Sequence, residues 1–155
     1  MKYFFSLILF FLFNNSLCQE PVSPQFLYVG ESQYKITYFS PSNINFTNNN
    51  IKRLVIVLHG NSRTAEQRQN AIIQAANSEN KYLETLIVSP HFIGTQELVA
   101  NELDDYHLYW SSASWMDGSP SSSSGAYPRD ESFSSFEVMD NLSLIHISEP
   151  TRRDQ

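Results

Sequence analysis

The chain has 155 residues, of which 41% are hydrophobic and 14% aromatic, and its formal net charge is −6 at pH 7. This length and composition suit one ordinary globular domain, and the acidic balance argues against a nucleic-acid-binding surface. The single cysteine, Cys18, lies near the start, so the rest of the chain must be held together by core packing without disulfides.

Residues 1–18 have the pattern of a cleavable secretory signal. Lys2 precedes an apolar block that ends at Phe13, and the small side chains of Ser16 and Cys18 follow. The block has about 10 apolar residues, whereas a bilayer span needs about 20. We therefore expect cleavage before Gln19, a secreted or secretory-pathway location, and no stable membrane span after cleavage. An uncleaved anchor is the alternative.

Two β-rich runs come next, at 26–30 and 34–39, with a short polar stretch between them. They predict an antiparallel hairpin at the edge of a sheet. The polar segment 41–50 follows and contains Asn45-Phe46-Thr47, an acceptor pattern for N-glycosylation. Asn45 is therefore a candidate glycosylation site in a eukaryotic host.

The run from Leu54 to Leu58 is unbroken apolar sequence and stops at His59-Gly60-Asn61. Such a run predicts a central parallel strand that is covered on both faces. Gly60 would give a flexible backbone at the carboxyl end of the sheet, the edge where open α/β sheets bind ligands. This corner is the predicted half of an active site.

A helix and a second strand are predicted after this corner. Thr64 and Gln67 have the spacing of a capping box, which predicts a helix over about 65–77. The residues expected to face the sheet are Ala65, Ile72, Ile73 and Ala76. The next apolar run, 85–89, is predicted to end at Pro90, because proline cannot continue a central ladder. Strand, helix and strand together predict a βαβ unit with a right-handed crossover.

The stretch 92–132 has no sustained period and predicts a long loop that lines a site or acts as a lid. Its aromatic residues include Trp110 and Trp115. Two roles stay open for them, a substrate-facing wall or an anchor that fixes the loop to the body. The serine run 119–125 is expected to be a solvated loop tip.

A second capping box, formed by Ser134 and Glu137, predicts a helix that proceeds toward Asn141, with Phe133 and Val138 placed as a hydrophobic staple. Residues 142–152 resemble the in-frame translation of a transposase-type sequencing-library adapter. We therefore expect 142–155 to be an artefact and the genuine protein to span 19–141, cut short at its end.

The order of these elements resembles the N-terminal half of a serine α/β-hydrolase. An apolar strand ends in His59-Gly60-Asn61, a helix follows, the next strand ends in Ser89-Pro90, and an aromatic loop leads into a helix opening Ser135-Phe136-Glu137. The resemblance covers about 34–141 and is strongest to secreted esterase-type members, including those grouped near polyester depolymerases. It implies an incomplete α/β fold, with an N-terminal hairpin plus a βαβ unit.

This resemblance implies a role for the loop Gly60-Asn61-Ser62, which would supply a backbone N–H group to an oxyanion hole, while His59 would be structural. The Gly-x-Ser-x-Gly elbow, the acid and the later histidine of the family are absent from this sequence. The chain itself is thus expected to have no catalytic residues, no metal, no cofactor and no activity. The intact protein is expected to act on a small or polymeric ester. A secreted, non-catalytic binding glycoprotein on the same scaffold is the alternative.

The other polar residues do not complete the pattern of a protease triad, a metal site or a nucleotide site. His59, Asp104 or Asp105 and a serine follow the order of the trypsin-like proteases, but that fold is all-β. A metal set drawn from His91, Asp104, Asp105 and His107 lacks the compact spacing of zinc sites. Gly60 has no glycine-rich partner for a nucleotide, and Arg63 is expected to be exposed.

Overall fold

A computed structural model describes residues 23–44 and 49–146. Within these ranges the chain forms a four-stranded mixed sheet in the order β1-β2-β4-β3, together with three α-helices. The strands are β1 (Pro24–Tyr28), β2 (Lys35–Phe39), β3 (Arg53–Ile56) and β4 (Thr85–His91), and the helices are α1 (Ala65–Ser78), α2 (Thr95–Ala100) and α3 (Ser135–His146). Two short 3-10 helices cover Tyr82–Glu84 and Ala113–Asp117. The α/β character is as predicted.

Two predicted features of the ends and the loops lie outside the described residues. These are the signal segment 1–18 and the glycosylation site Asn45. In the described ranges, no helix combines the length and the apolar character that crossing a membrane requires.

The predicted hairpin is confirmed. β1 and β2 pair antiparallel from Pro24↔Phe39 to Tyr28↔Lys35. Gly30 has a φ of 59° in the connecting turn, a conformation that favours glycine, and its N–H donates to the side-chain oxygen of Asn141 at 3.1 Å. The hairpin is therefore tied to α3, which lies more than a hundred residues later.

The predicted parallel pair is also confirmed, but its central position is not. β3 pairs parallel with β4 from Arg53↔Thr85 to Ile56↔Val88. β3 is at the edge of the described sheet, whereas its partner β4 has a neighbour on each side. Both apolar runs have the same local pattern, and only the long-range pairing of β2 with β4 decides which one is flanked.

β4 continues through Pro90 to His91, so the prediction that it stops at Pro90 is wrong. Tyr38 lies opposite Pro90 in the antiparallel pair with β2. Backbone groups alternate sides along a strand, and the carbonyl of Val88 accepts from the N–H of Val57 on the β3 side at 2.8 Å. The nitrogen of Pro90 therefore points to the β3 side, beyond the end of that ladder. The missing N–H costs no ladder hydrogen bond there.

Helix α1 lies where the sequence places it, but its predicted capping box is absent. The side chain of Thr64 makes no capping hydrogen bond, and its hydroxyl lies 3.4 Å from that of Ser62. The preceding Arg63 has a φ of 52°. Ala65 and Ile73 are buried, and Ile72 and Ala76 pack partly buried against the cluster formed by Val57, Ile73 and Ile87. The buried Gln69 was not predicted; its side chain donates to the carbonyl of Ile87 at 3.1 Å.

The stretch 92–132 is more ordered than a plain loop, since it contains α2 and the 3-10 helix Ala113–Asp117. Part of the serine run is also anchored. Ser121 is 6% exposed, and the N–H of Ser122 donates to the carbonyl of Tyr109 at 2.7 Å. The contacts that fix this stretch join residues distant in sequence. The hydrophobic periodicity of a short window cannot predict such contacts.

Helix α3 has the predicted cap. The N–H of Ser134 donates to the carboxylate of Glu137 at 2.6 Å, and the N–H of Phe136 donates to the hydroxyl of Ser134 at 3.1 Å. The helix runs to His146 and therefore into the segment attributed to an adapter. Leu142 shares a core cluster with Val138. Four residues separate them, so helical periodicity is enough to bury Leu142 whatever the origin of this segment.

Candidate functional site

The loop that follows β3 offers free hydrogen-bond donors at the carboxyl end of the parallel pair. The N–H groups of Gly60, Asn61 and Ser62 have no acceptor within the described ranges. The turn is closed by the N–H of Arg63, which donates to the carbonyl of Gly60 at 3.0 Å. Neighbouring N–H groups without an acceptor can donate to an oxygen that carries negative charge.

The left-handed residue of this turn is Arg63, with a φ of 52°, and Gly60 has no positive φ. Open space surrounds Gly60 instead: a β-carbon added there would meet no heavy atom within 4 Å. The expected conformational need for glycine is thus not found at Gly60. The structure instead leaves empty space next to the N–H groups of this loop.

His59 is 3% exposed and both of its ring nitrogens are engaged. Nδ1 lies 2.9 Å from the carbonyl oxygen of Gly60, and the N–H of Phe92 donates to Nε2 at 3.0 Å. Because a carbonyl only accepts and an N–H only donates, the ring is neutral with its proton on Nδ1. Burial lowers the pKa of His59 to about 4, and the nearby His91 and Arg63 also lower it. Its role in this structure is to join two strand ends.

Arg63 ties the loop after β3 to segments that lie later in the chain. Its guanidinium donates to the carbonyl oxygens of Phe92 at 3.1 Å, Trp110 at 3.0 Å and Ser112 at 2.9 Å. The side chain is only 15% exposed, so the expectation of an exposed arginine is wrong. The planar guanidinium can donate to several carbonyls at once. These carbonyls are distant in sequence, so a local sequence pattern does not predict the buried position of Arg63.

Glu97 links this network to helix α2. One carboxylate oxygen lies 3.2 Å from Nε2 of His91, and the other accepts from the N–H of Gly94 at 2.7 Å and lies 3.5 Å from Nη1 of Arg63. Burial lowers the pKa of His91, although the carboxylate of Glu97 acts in the opposite direction. The loop after β3, the end of β4 and the start of α2 are thereby held as one unit.

The other polar combinations are not assembled. Asp104 accepts from Nζ of Lys35 at 2.6 Å and lies 3.4 Å from Nδ1 of His107, so its histidine partner is not His59. His107 is buried and its Nε2 lies 3.2 Å from the hydroxyl of Thr37. In the described part of the chain, no three His, Cys, Asp or Glu side chains are grouped to hold a metal ion. The Thr37–His107–Asp104 chain was missed because Thr37 lies 70 residues before His107.

Both tryptophans are buried. Trp110 is 0% and Trp115 is 5% exposed, and both pack against Phe92, Trp115 with a stacked ring at 5.2 Å and Trp110 edge-on at 5.0 Å. Trp115 also lies 4.5 Å from the ring of His59. A substrate-facing wall needs exposed ring faces, whereas these rings fix the loop to the core. The indole Nε1 of Trp115 is buried and has no hydrogen-bond partner among the described residues.

Comparison of this chain with protein-family models, with curated proteins and with solved structures finds no match.

Proposed function

We infer that this chain is the N-terminal part of a secreted serine α/β-hydrolase whose intact form transfers an acyl group from an ester-like substrate to water. The observation that carries this proposal is that the N–H groups of Gly60, Asn61 and Ser62 have no acceptor among the described residues. They lie at the carboxyl end of a parallel pair, which is where open α/β sheets bind their ligands.

The chemistry asked of this loop is electrostatic. When a serine oxygen attacks an ester carbonyl, the carbonyl oxygen becomes an oxyanion in the tetrahedral intermediate. A fixed N–H donor aimed at that oxygen lowers the barrier by about 3 to 4 kcal/mol. The open space around Gly60 supports this role, because it lets the substrate approach the backbone closely. The family supplies its second donor from the residue after the nucleophile, which this sequence lacks.

The edge position of β3 also supports the proposal. Val57 donates toward β4, so by alternation the backbone groups of Leu54, Ile56 and Leu58 face the outer side of β3. No strand pairs with that side in the described ranges. The resemblance implies that the nucleophile strand lies there in the intact protein, which would place its serine beside the Gly60 loop.

Several expectations complete the proposal. The 155-residue chain lacks the nucleophile elbow and should not hydrolyse esters. The intact protein needs no metal and no cofactor for this reaction, and its partner is a small or polymeric ester. Export through the secretory pathway rests on the pattern of residues 1–18.

The decisive experiment is to sequence the transcript beyond the codon of Asn141. We expect a Gly-x-Ser-x-Gly segment within the next few dozen codons, followed by an acidic residue and a histidine. The full-length protein should then react with a fluorophosphonate probe, and a variant with alanine in place of that serine should not. A continuous reading frame without the elbow would reject the enzymatic proposal.

The second proposal is a secreted, non-catalytic binding glycoprotein on the same scaffold. The signal pattern and the Asn45 acceptor favour it. A full-length transcript that keeps the strand–turn–helix at the elbow but replaces the serine would support this alternative. Attachment of a glycan at Asn45, seen as a mass shift removed by peptide N-glycosidase, would support export in either case.

A further inference from the structure

A polar groove lies directly beside the Gly60 loop. It has a volume of about 590 Å³ and runs between the turn at 61–63 and the start of α2 at 94–97, with Ser111 on its rim. Ligand sites commonly have volumes of roughly 300 to 1,000 Å³. The groove is therefore large enough for a ring-sized group.

The groove presents no unpaired charge. Its arginine, Arg63, is occupied by three carbonyl oxygens and by the carboxylate of Glu97. Both oxygens of that carboxylate are in turn engaged, one by His91 and the other by the N–H of Gly94. An anionic ligand would meet a compensated guanidinium, and a cationic ligand a compensated carboxylate. Neither charge is selected.

Uncharged hydrogen-bonding groups remain available in the groove. The side chains of Asn61, Thr95 and Gln96 have no partner in the described part of the chain, and the N–H groups of Asn61 and Ser62 are also free. Amide and hydroxyl groups supply both donors and acceptors. The lining has no aliphatic or aromatic side chain, so a long acyl chain would meet only the apolar atoms of polar side chains and of the backbone.

We propose that this groove binds a neutral, hydroxyl-rich group of the sugar or polyol type. Alternating donors and acceptors on such a ligand match the free amide and hydroxyl groups, and its lack of charge matches the compensated ion pair. The groove adjoins the Gly60 loop, so we assign this group to the alcohol part of the ester. This assignment rests on the proposed function. Binding of the free sugar does not depend on that function.

The test uses the full 155-residue chain and saturation-transfer NMR, which tolerates an associated receptor. The probes are methyl glucoside, glucosamine, glucuronate and hexyl acetate, compared at equal concentration. We expect methyl glucoside to bind at least about fivefold more tightly than either charged sugar or the apolar ester. Equal or tighter binding by a charged sugar or by hexyl acetate would overturn the proposal, as would no binding of methyl glucoside at 50-fold excess over protein.

The double variant Asn61→Ala/Gln96→Ala locates the binding. Both side chains are exposed, so the fold should be kept, which the dispersion of the amide spectrum checks. We expect at least a fivefold loss of methyl glucoside binding, and no loss in the matched control Gln74→Ala on the exposed side of α1. Binding that survives in the double variant lies elsewhere and contradicts the proposal.

The failures of the two proposals are distinguishable. An elbow in the full transcript together with no sugar binding would leave the hydrolase in place and reject the ligand assignment. Sugar binding without an elbow would reject the hydrolase and keep the ligand assignment, now for a binding glycoprotein.

Discussion

The N–H of Phe92 donates to Nε2 of His59 at 3.0 Å and so joins the segment after β4 to the segment after β3. The same ring donates from Nδ1 to the carbonyl of Gly60. A neutral imidazole makes both bonds, and an imidazolium loses the first because Nε2 then carries a proton. Protonation of His59 therefore removes one of the hydrogen bonds that join the carboxyl ends of the two parallel strands.

Acid should destabilise the protein through His59. Its pKa is lowered from 6.5 to about 4 in the folded state, so the folded chain binds fewer protons than the unfolded one between these values. Stability is fully present above pH 6.5 and falls as the pH drops toward 4, by about 2 to 3 kcal/mol for this residue. Urea unfolding at a series of pH values measures the loss. His59→Gln should reduce the slope of the profile in this window, and the slope that remains comes from His91 and His107, whose pKa values burial also lowers. An unchanged profile would contradict the assignment.

Replacing Arg63 should destabilise the loop network. Arg63→Ala leaves the carbonyls of Phe92, Trp110 and Ser112 without this donor, and we expect a loss of about 2 to 4 kcal/mol. Arg63→Lys should recover only part of it, because an ammonium cannot span three acceptors as a planar fork does. Denaturant midpoints measure both. The exposed Arg68→Lys is the matched control and should lie within about 0.5 kcal/mol of the parent.

Gly94→Ala should act through Arg63. A β-carbon at Gly94 would lie 2.7 Å from Nη1 and 2.9 Å from Cζ of the pinned guanidinium, which must then move away from its acceptors. We expect a loss of about 1 to 3 kcal/mol by denaturant unfolding. The cost should shrink strongly in the Arg63→Ala background, and strict additivity in this double-mutant cycle would exclude the mechanism. Gly125→Ala, with no heavy atom within 4 Å, is the control.

Gly60→Ala should leave stability unchanged while impairing function in the intact protein. The added β-carbon meets no protein atom within 4 Å, so the free energy of unfolding should stay within about 0.5 kcal/mol. It would occupy the space proposed for the substrate oxygen, and kcat/KM of the full-length enzyme on an ester should fall at least tenfold. A normal kcat/KM would remove this loop from the oxyanion hole.

The outer edge of β3 should cause the 155-residue chain to self-associate. Within 23–44 and 49–146 no strand pairs with this edge, and Leu58 beside it is 49% exposed, so another chain can pair with it. Light scattering after size exclusion should show oligomers or aggregates, and Leu58→Lys should reduce them while the remote Leu83→Lys does not. A monomeric, cooperatively unfolding product from residues 19–141 would count against the fold assignment. Unfolding experiments on other variants are best done at low micromolar concentration for this reason.

The sequence alone was enough to predict the type and order of most elements. The hairpin follows from β-rich runs around a turn, and the βαβ unit from two apolar runs around a helical period. The cap of α3 was also predictable, because Ser134 and Glu137 are three residues apart and act on each other directly. Each of these signals is complete within a window of a few residues.

The tertiary structure alone decided where β3 lies in the sheet and which way Arg63 and the tryptophans face. Arg63 turns inward because carbonyls up to 49 residues away accept from it, and Trp110 and Trp115 are buried where both pack against the distant Phe92. Pro90 fits within β4 because β3 ends before reaching it. Such outcomes depend on which distant segments meet, and a local pattern records the preference of a residue but not the partner that satisfies it.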